Sequence, residues 1–144
     1  MGFKALDYNI SIIATKKNDV KYGMCCAWIM QADYDKLVCL IGVQSVTGGI
    51  LAIGDKVGVS MLCKTQIGLH NIFGEHHSNE IDKFKSVDYN IKDGAICING
   101  AAREMYCEVI DILHLKEIGE DSLVYLRILS SKENNDKFLH YGDL

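Results

Sequence analysis

Short runs of β-branched and apolar residues, broken by turn signals at close intervals, constrain this chain more than anything else in its sequence. Tyr8 to Thr15 reads Tyr-Asn-Ile-Ser-Ile-Ile-Ala-Thr, Lys17-Asn18-Asp19 follows as a turn, and Val20 to Met30 resumes as a long strand. That is a hairpin pattern. Lys36 to Val43 is a nearly continuous apolar run, as expected of a strand covered on both faces. Lys56 to Leu62 and Ala95 to Ile98 read as shorter strands, and Ala101 to His114 and Ser122 to Leu129 as longer ones around a turn at Gly119-Glu120-Asp121. Lys137 to Tyr141 adds a short closing strand.

Helical spacing is confined to a few places. Thr47 to Ile53 opens on a hydroxyl residue able to cap free backbone N–H groups and stops before Gly54-Asp55. Thr65 to Phe73 sets Ile67, Leu69, Ile72 and Phe73 mostly on one side, with Gly74 as the expected C-cap. Ile81 to Phe84 offers one further turn. Many strands with two or three short helices predict a mainly β fold, a closed or half-closed barrel, because closure removes exposed edges. With no repeat, low-complexity tract or linker, residues 1–144 read as one domain.

Composition narrows the function. The net charge of −4 lacks the basic surplus that phosphate neutralisation demands, which argues against a nucleic-acid binder. No apolar run approaches a membrane-spanning length, and the first residues lack the apolar core of an export signal, so the cytoplasm is the expected location. The six cysteines are embedded in apolar strands; Cys39 and Cys107 read as small hydrophobes, and reduced thiols are expected. Cys25-Cys26 is an adjacent pair whose side chains should point to opposite faces, one to the core and one to a pocket or subunit contact. His70, Glu75, His76 and His77 lack the spacing of a metal site and read as surface residues. There is neither Gly-x-Gly-x-x-Gly nor a Walker loop.

The order of the remaining motifs is specific. Tyr22-Gly23-Met24-Cys25-Cys26-Ala27-Trp28-Ile29-Met30-Gln31-Ala32 is followed by Leu37 to Val43, then Ser45-Val46-Thr47, then Lys56-Val57-Gly58-Val59-Ser60-Met61-Leu62. Gln66, Phe73-Gly74, Asp82-Lys83-Phe84, the Gly100-Ala101 to Cys107 stretch and Leu139-His140-Tyr141-Gly142 complete the series. In this order the chain resembles the flavin reductase-like FMN-binding split-barrel family, over roughly residues 10 to 142. Two positions depart from the family pattern. Asp35-Lys36-Leu37 stands where Asp-Pro-Pro is common, and Ser60 where Asn is usual.

The resemblance implies a Greek-key-like split β-barrel working as a homodimer, with FMN at the seam between subunits. It also implies a flavin site formed by Ala27, Trp28, Ile29, Met30, Gln31, Ser45, Thr47, Gly48, Ser60, Met61, Leu62, Gln66, Phe73, Lys83 and Tyr141. On the residues alone, Ser45 to Gly49 offers hydroxyls and unshielded N–H groups at a helix start, suited to a phosphate, or Thr47 simply caps that helix. Lys83 could add a positive charge there. Trp28 fits core or interface as well as a flavin edge, and His140 fits a proton donor as well as a strand end.

Three functions follow as expectations. The first is NADH- or NADPH-dependent reduction of flavin, with hydride passing to flavin N5 and on to free flavin or a protein acceptor. The second is electron transfer through FMN from a rubredoxin- or ferredoxin-type partner without nicotinamide. The third is a non-enzymatic split-barrel module that binds a ligand.

Overall fold

The computed structural model describes residues 3–42, 49–75 and 83–144. One nine-stranded antiparallel sheet dominates it. The strands are β1 (Ser11–Lys17), β2 (Val20–Cys26), β3 (Ile29–Asp33), β4 (Lys36–Ile41), β5 (Lys56–Met61), β6 (Tyr89–Lys92), β7 (Ala95–Ile98), β8 (Arg103–Leu113) and β9 (Ser122–Glu133). The α-helix α1 (Ile67–Glu75), helical residues Gly49 and Ile50, and two 3-10 turns, at Lys64–Gln66 and Tyr141–Asp143, accompany them among the described residues. The path runs β3-β4-β9-β8-β5-β1-β7-β6, with β2 added alongside β1. It is a curled, open sheet whose two ends do not pair, the split form of a barrel.

Period-two alternation places the core on both sides of this sheet. On β1, Ile13 points into a cluster with Cys26, Cys39, Val57, Val59, Cys107 and Leu126, the interior of the curl. Its neighbours Ile12 and Ala14 point the other way, into a cluster with Leu62, Phe73, Phe84, Ile96 and Leu139 that α1 helps to cover. A strand buried on both faces must be apolar at successive positions, and Ile10 to Ala14 are all buried.

Two hairpins owe their tightness to left-handed turn residues. Asn18 and Asp19, at φ of 54° and 63°, join β1 to β2, and Asp93 and Gly94, at 54° and 90°, join β6 to β7. Both are two-residue turns with positive φ at each position, which matches the twist of the flanking strands. Gly58 is required for a different reason. A Cβ there would lie 1.8 Å from the Ile96 carbonyl oxygen, so β5 and β7 can cross only over a bare Cα.

Several boundaries differ from the sequence expectation. The run Val20 to Met30 is two strands, because β2 pairs with β1 and β3 pairs with β4; the chain changes partner at Ala27-Trp28. β6 is an additional strand. Gly74 lies inside α1 and caps nothing; the helix continues to Glu75. Lys137 to Tyr141 forms isolated bridges, Cys63 with Phe138 and Asn9 with His140, ahead of a 3-10 turn. β9 runs on to Glu133, and β8 starts at Arg103. Of the expected helix Thr47 to Ile53, Thr47 and Gly48 lie outside the described residues, Gly49 and Ile50 are helical, and the chain has left the helix by Leu51 and turns at Ile53-Gly54. Of Ile81 to Phe84, Lys83 and Phe84 are described and lie in a turn.

Candidate functional site

The partner change at Ala27-Trp28 opens the sheet and leaves a cavity of about 520 Å³ at the corner. Its wall comprises Phe3, Lys4, Tyr8, Cys25, Cys26, Ala27, Trp28, Leu40 and Tyr141. The corner is held by main-chain bonds, since Leu40 N–H donates to the Trp28 carbonyl at 2.9 Å. The Ser11 hydroxyl donates to the Cys26 carbonyl at 2.7 Å, closing the end of β2. Three rings converge here. Tyr8 lies 6.3 Å from Trp28 and 6.5 Å from Tyr141, tilted in the first case and edge-on in the second. These are favourable aromatic pair geometries.

Both members of the cysteine pair reach this wall, from opposite clusters: Cys26 belongs to the curl interior, and Cys25 packs on the α1 side. Burial pushes the Cys25 thiol up to about 12, against a smaller opposing effect of Lys83. At neutral pH it is therefore a protonated, apolar surface and no nucleophile. Lys4 is the charged side chain on the wall, with its ammonium 4.6 Å from the centre of the Tyr141 ring.

A second, wider groove of about 750 Å³ lies on the other side of the same corner. Ile29, Met30, Gln31 and Met61 line it together with Tyr34, Leu129 and Phe138, and its wall also carries Asp35, Arg103 and Glu133, so it is mixed in character. The residues expected at a flavin thus separate between two concavities at the point where the chain passes from β2 to β3. Ala27, Trp28 and Tyr141 gather on the first cavity, while Ile29 to Gln31 and Met61 face the second.

Other expected site residues serve the fold. Ser60 is buried and its hydroxyl accepts the Ile98 N–H at 2.8 Å. Leu62 and Phe73 are core. Gln66 fastens the 3-10 turn, accepting from Cys63 N–H at 3.0 Å and donating to the Asn99 carbonyl at 3.2 Å. Lys83, at 4% exposure, donates to the carbonyls of Gly23 and Phe73 at 2.9 and 3.1 Å, tying β2 to α1. Its ammonium is engaged there, inside the fold. Ser45, Thr47 and Gly48 lie outside the described residues. His140 has Nδ1 3.6 Å from the Asp7 carboxylate, and the cavity wall includes its neighbour Tyr141 instead.

Phe3, Lys4, Tyr8 and Leu40 were not anticipated. Tyr8 and Leu40 stand in strand-like runs whose neighbours gave no sign of a pocket. The N-terminal arm reaches the site because Tyr141 N–H donates to the Tyr8 carbonyl at 2.7 Å and Gly142 N–H to the Asp7 carboxylate at 3.3 Å.

A family model described as the flavin reductase like domain matches residues 3–143. The chain belongs to this family. It is a flavin-binding oxidoreductase, built on the family's split-barrel sheet. No curated protein sequence matches it. Among solved structures, the NADH:FAD oxidoreductase SgcE6 of Streptomyces globisporus C-1027 is similar with a TM-score of 0.79 and 17% identity, over 89% of this chain and 76% of that one. Flavoredoxin from Methanosarcina acetivorans gives 0.79 and 11%, over 92% and 74%. An FMN-binding protein from Thermus thermophilus, with bound p-hydroxybenzaldehyde, gives 0.79 and 19%, over 92% and 75%. At these identities the likeness is one of fold.

Proposed function

We propose that the chain is an FMN-dependent reductase that takes hydride from NADH or NADPH, acting in the cytoplasm as a homodimer. The observation that carries this reading is the cavity at the β2–β3 corner. Its volume is in the range of small-molecule sites, and its lining is apolar and aromatic with few polar groups. A flat heteroaromatic ring fits such a wall. Trp28, Tyr8 and Tyr141 would hold the ring by its faces and edges, and Ala27 leaves room for close backbone approach.

FMN, when bound, supplies the redox chemistry; the protein supplies position and charge. The aromatic wall would orient the ring, and the protonated Cys25 thiol keeps that wall free of a competing nucleophile. A nicotinamide has no nucleotide-binding motif of its own here, so it would approach the exposed side of the ring transiently and react from near-contact distance. The acceptor that follows is free flavin or a redox protein.

A dimer is supported by the second groove. Met30 and Tyr34, at 62% and 96% exposure, project on that face beside Leu129. Exposed large side chains within a groove that also offers charged partners, Asp35, Arg103 and Glu133, suit a subunit contact.

Anaerobic mixing of the FMN-loaded protein with NADH or NADPH tests the activity. Bleaching of the flavin absorbance with either nucleotide is expected. If neither bleaches it while a reduced rubredoxin- or ferredoxin-type protein does, the chain is an electron carrier and the nicotinamide reading is wrong.

A further inference from the structure

The first cavity is almost uncharged, in a protein whose net charge is −4, and its one cationic side chain comes from the N-terminal arm. That arm is anchored. Tyr8 and Asn9 are paired to Tyr141 and His140, and Asp7 accepts from Gly142, so the chain just ahead of them is directed across the site. Lys4 consequently rests over the Tyr141 ring, and no ion pair with a carboxylate among the described residues neutralises it. Lys4 is exposed, so water screens part of its charge, but its ammonium lies at the mouth of an apolar, aromatic wall, where a ring bound against that wall would feel it at short range.

We propose that Lys4 sets the charge selectivity of this cavity, making it hold an anionic planar ring more tightly than the same ring when neutral. This rests on the flavin reading of the site. Hydride is a proton with two electrons, so its addition at N5 of a neutral flavin ring leaves the ring with one net negative charge, spread over N1 and the C2 carbonyl. The nicotinamide donor loses the same two electrons and becomes its cationic oxidised form. Lys4 then stabilises the reduced ring, raises the potential of the bound flavin, and retains the reduced form instead of shedding it. Charge near the flavin ring is one of the means by which a protein tunes that cofactor.

The test compares wild type with Lys4→Met and Lys4→Arg, using FMN and riboflavin as probes. Dissociation constants for the oxidised forms and midpoint potentials of the bound flavins are measured at low and high salt. Lys4 is exposed on the arm, so both variants should fold, and unchanged urea unfolding midpoints check this. Lys4→Met is expected to lower the reduced-to-oxidised affinity ratio about tenfold for both probes, equivalent to about 30 mV for a two-electron couple. Lys4→Arg should keep the wild-type ratio, and salt should shrink the difference. An unchanged ratio in Lys4→Met overturns the proposal. So does an equal loss for oxidised and reduced flavin, or a loss seen with FMN alone, which would make Lys4 a contact to the phosphate. A wild-type protein that takes up neither flavin overturns the flavin reading itself, and this inference with it.

Discussion

Gly58 and the buried thiols show how much a single atom decides in this fold. Gly58→Ala would drive a methyl group into the Ile96 carbonyl, a backbone atom that cannot swing aside. The cost should exceed about 3 kcal/mol, at or above the upper end for overpacked cores, and should appear as a large drop in urea midpoint or as failure to fold. The thiols make a prediction about pH. Burial pushes Cys25, Cys97 and Cys107 up to about 12 from an ordinary value of 9.0, with Glu104 adding to the effect at Cys97. Above pH 9 these groups ionise in the unfolded chain and stay protonated in the fold. The unfolded chain then binds fewer protons, so stability falls as pH rises from 9 towards 12. Each thiol contributes up to about 1.4 kcal/mol per pH unit in that window. Urea midpoints at pH 8 and pH 10.5 should differ accordingly, and Cys107→Ala should make the decline shallower by one proton.

Among the elements, the break between β2 and β3 matters most. One continuous strand would have been paired to a single neighbour and left no corner; the switch from β1 to β4 creates the cavity and parts Ala27 and Trp28 from Ile29 to Gln31, which line the second groove. α1 is a weaker element. It carries Gly68 on its exposed side, where a Cβ would meet nothing within 4 Å. Gly68→Ala should therefore stabilise the protein by about 0.5 to 1 kcal/mol, through helix propensity and reduced freedom of the unfolded chain. A thermal melt reads this directly; an unchanged or lower midpoint would mean that the position is constrained by something other than the helix.

For the whole molecule, the curled sheet is open, and the proposed dimer would use the groove containing Met30 and Tyr34. Equilibrium sedimentation should give a dimer for the wild type and a shift to monomer for Met30→Glu, since a carboxylate buried in the contact in place of an apolar side chain costs several kcal/mol when unpaired. A Met30→Glu protein that remains dimeric would place the contact elsewhere. No helix among the described residues is long and apolar enough to cross a membrane.

The mainly β class, the first hairpin and most strand positions were legible because alternation, β-branching and turn residues are local properties. The family was legible because its motifs keep their order along the chain. β6 was signalled by Asp93-Gly94 between two apolar runs, a hairpin cue that went unused. Other features had no local cue. Gly74 inside α1 looks like any C-cap glycine until the helix is seen to continue. That the Lys83 ammonium donates to the carbonyls of Gly23 and Phe73 is set by the packing of β2 against α1 and has no local signal. Local sequence thus determined which segments extend and which turn, since backbone preference and side-chain period act within a few residues. Only the tertiary structure decided that β2 and β3 part company at Trp28, and that residues 4 and 141 meet across one cavity. Strand partnership and the docking of the N-terminal arm are long-range choices, settled by which surfaces can be buried together.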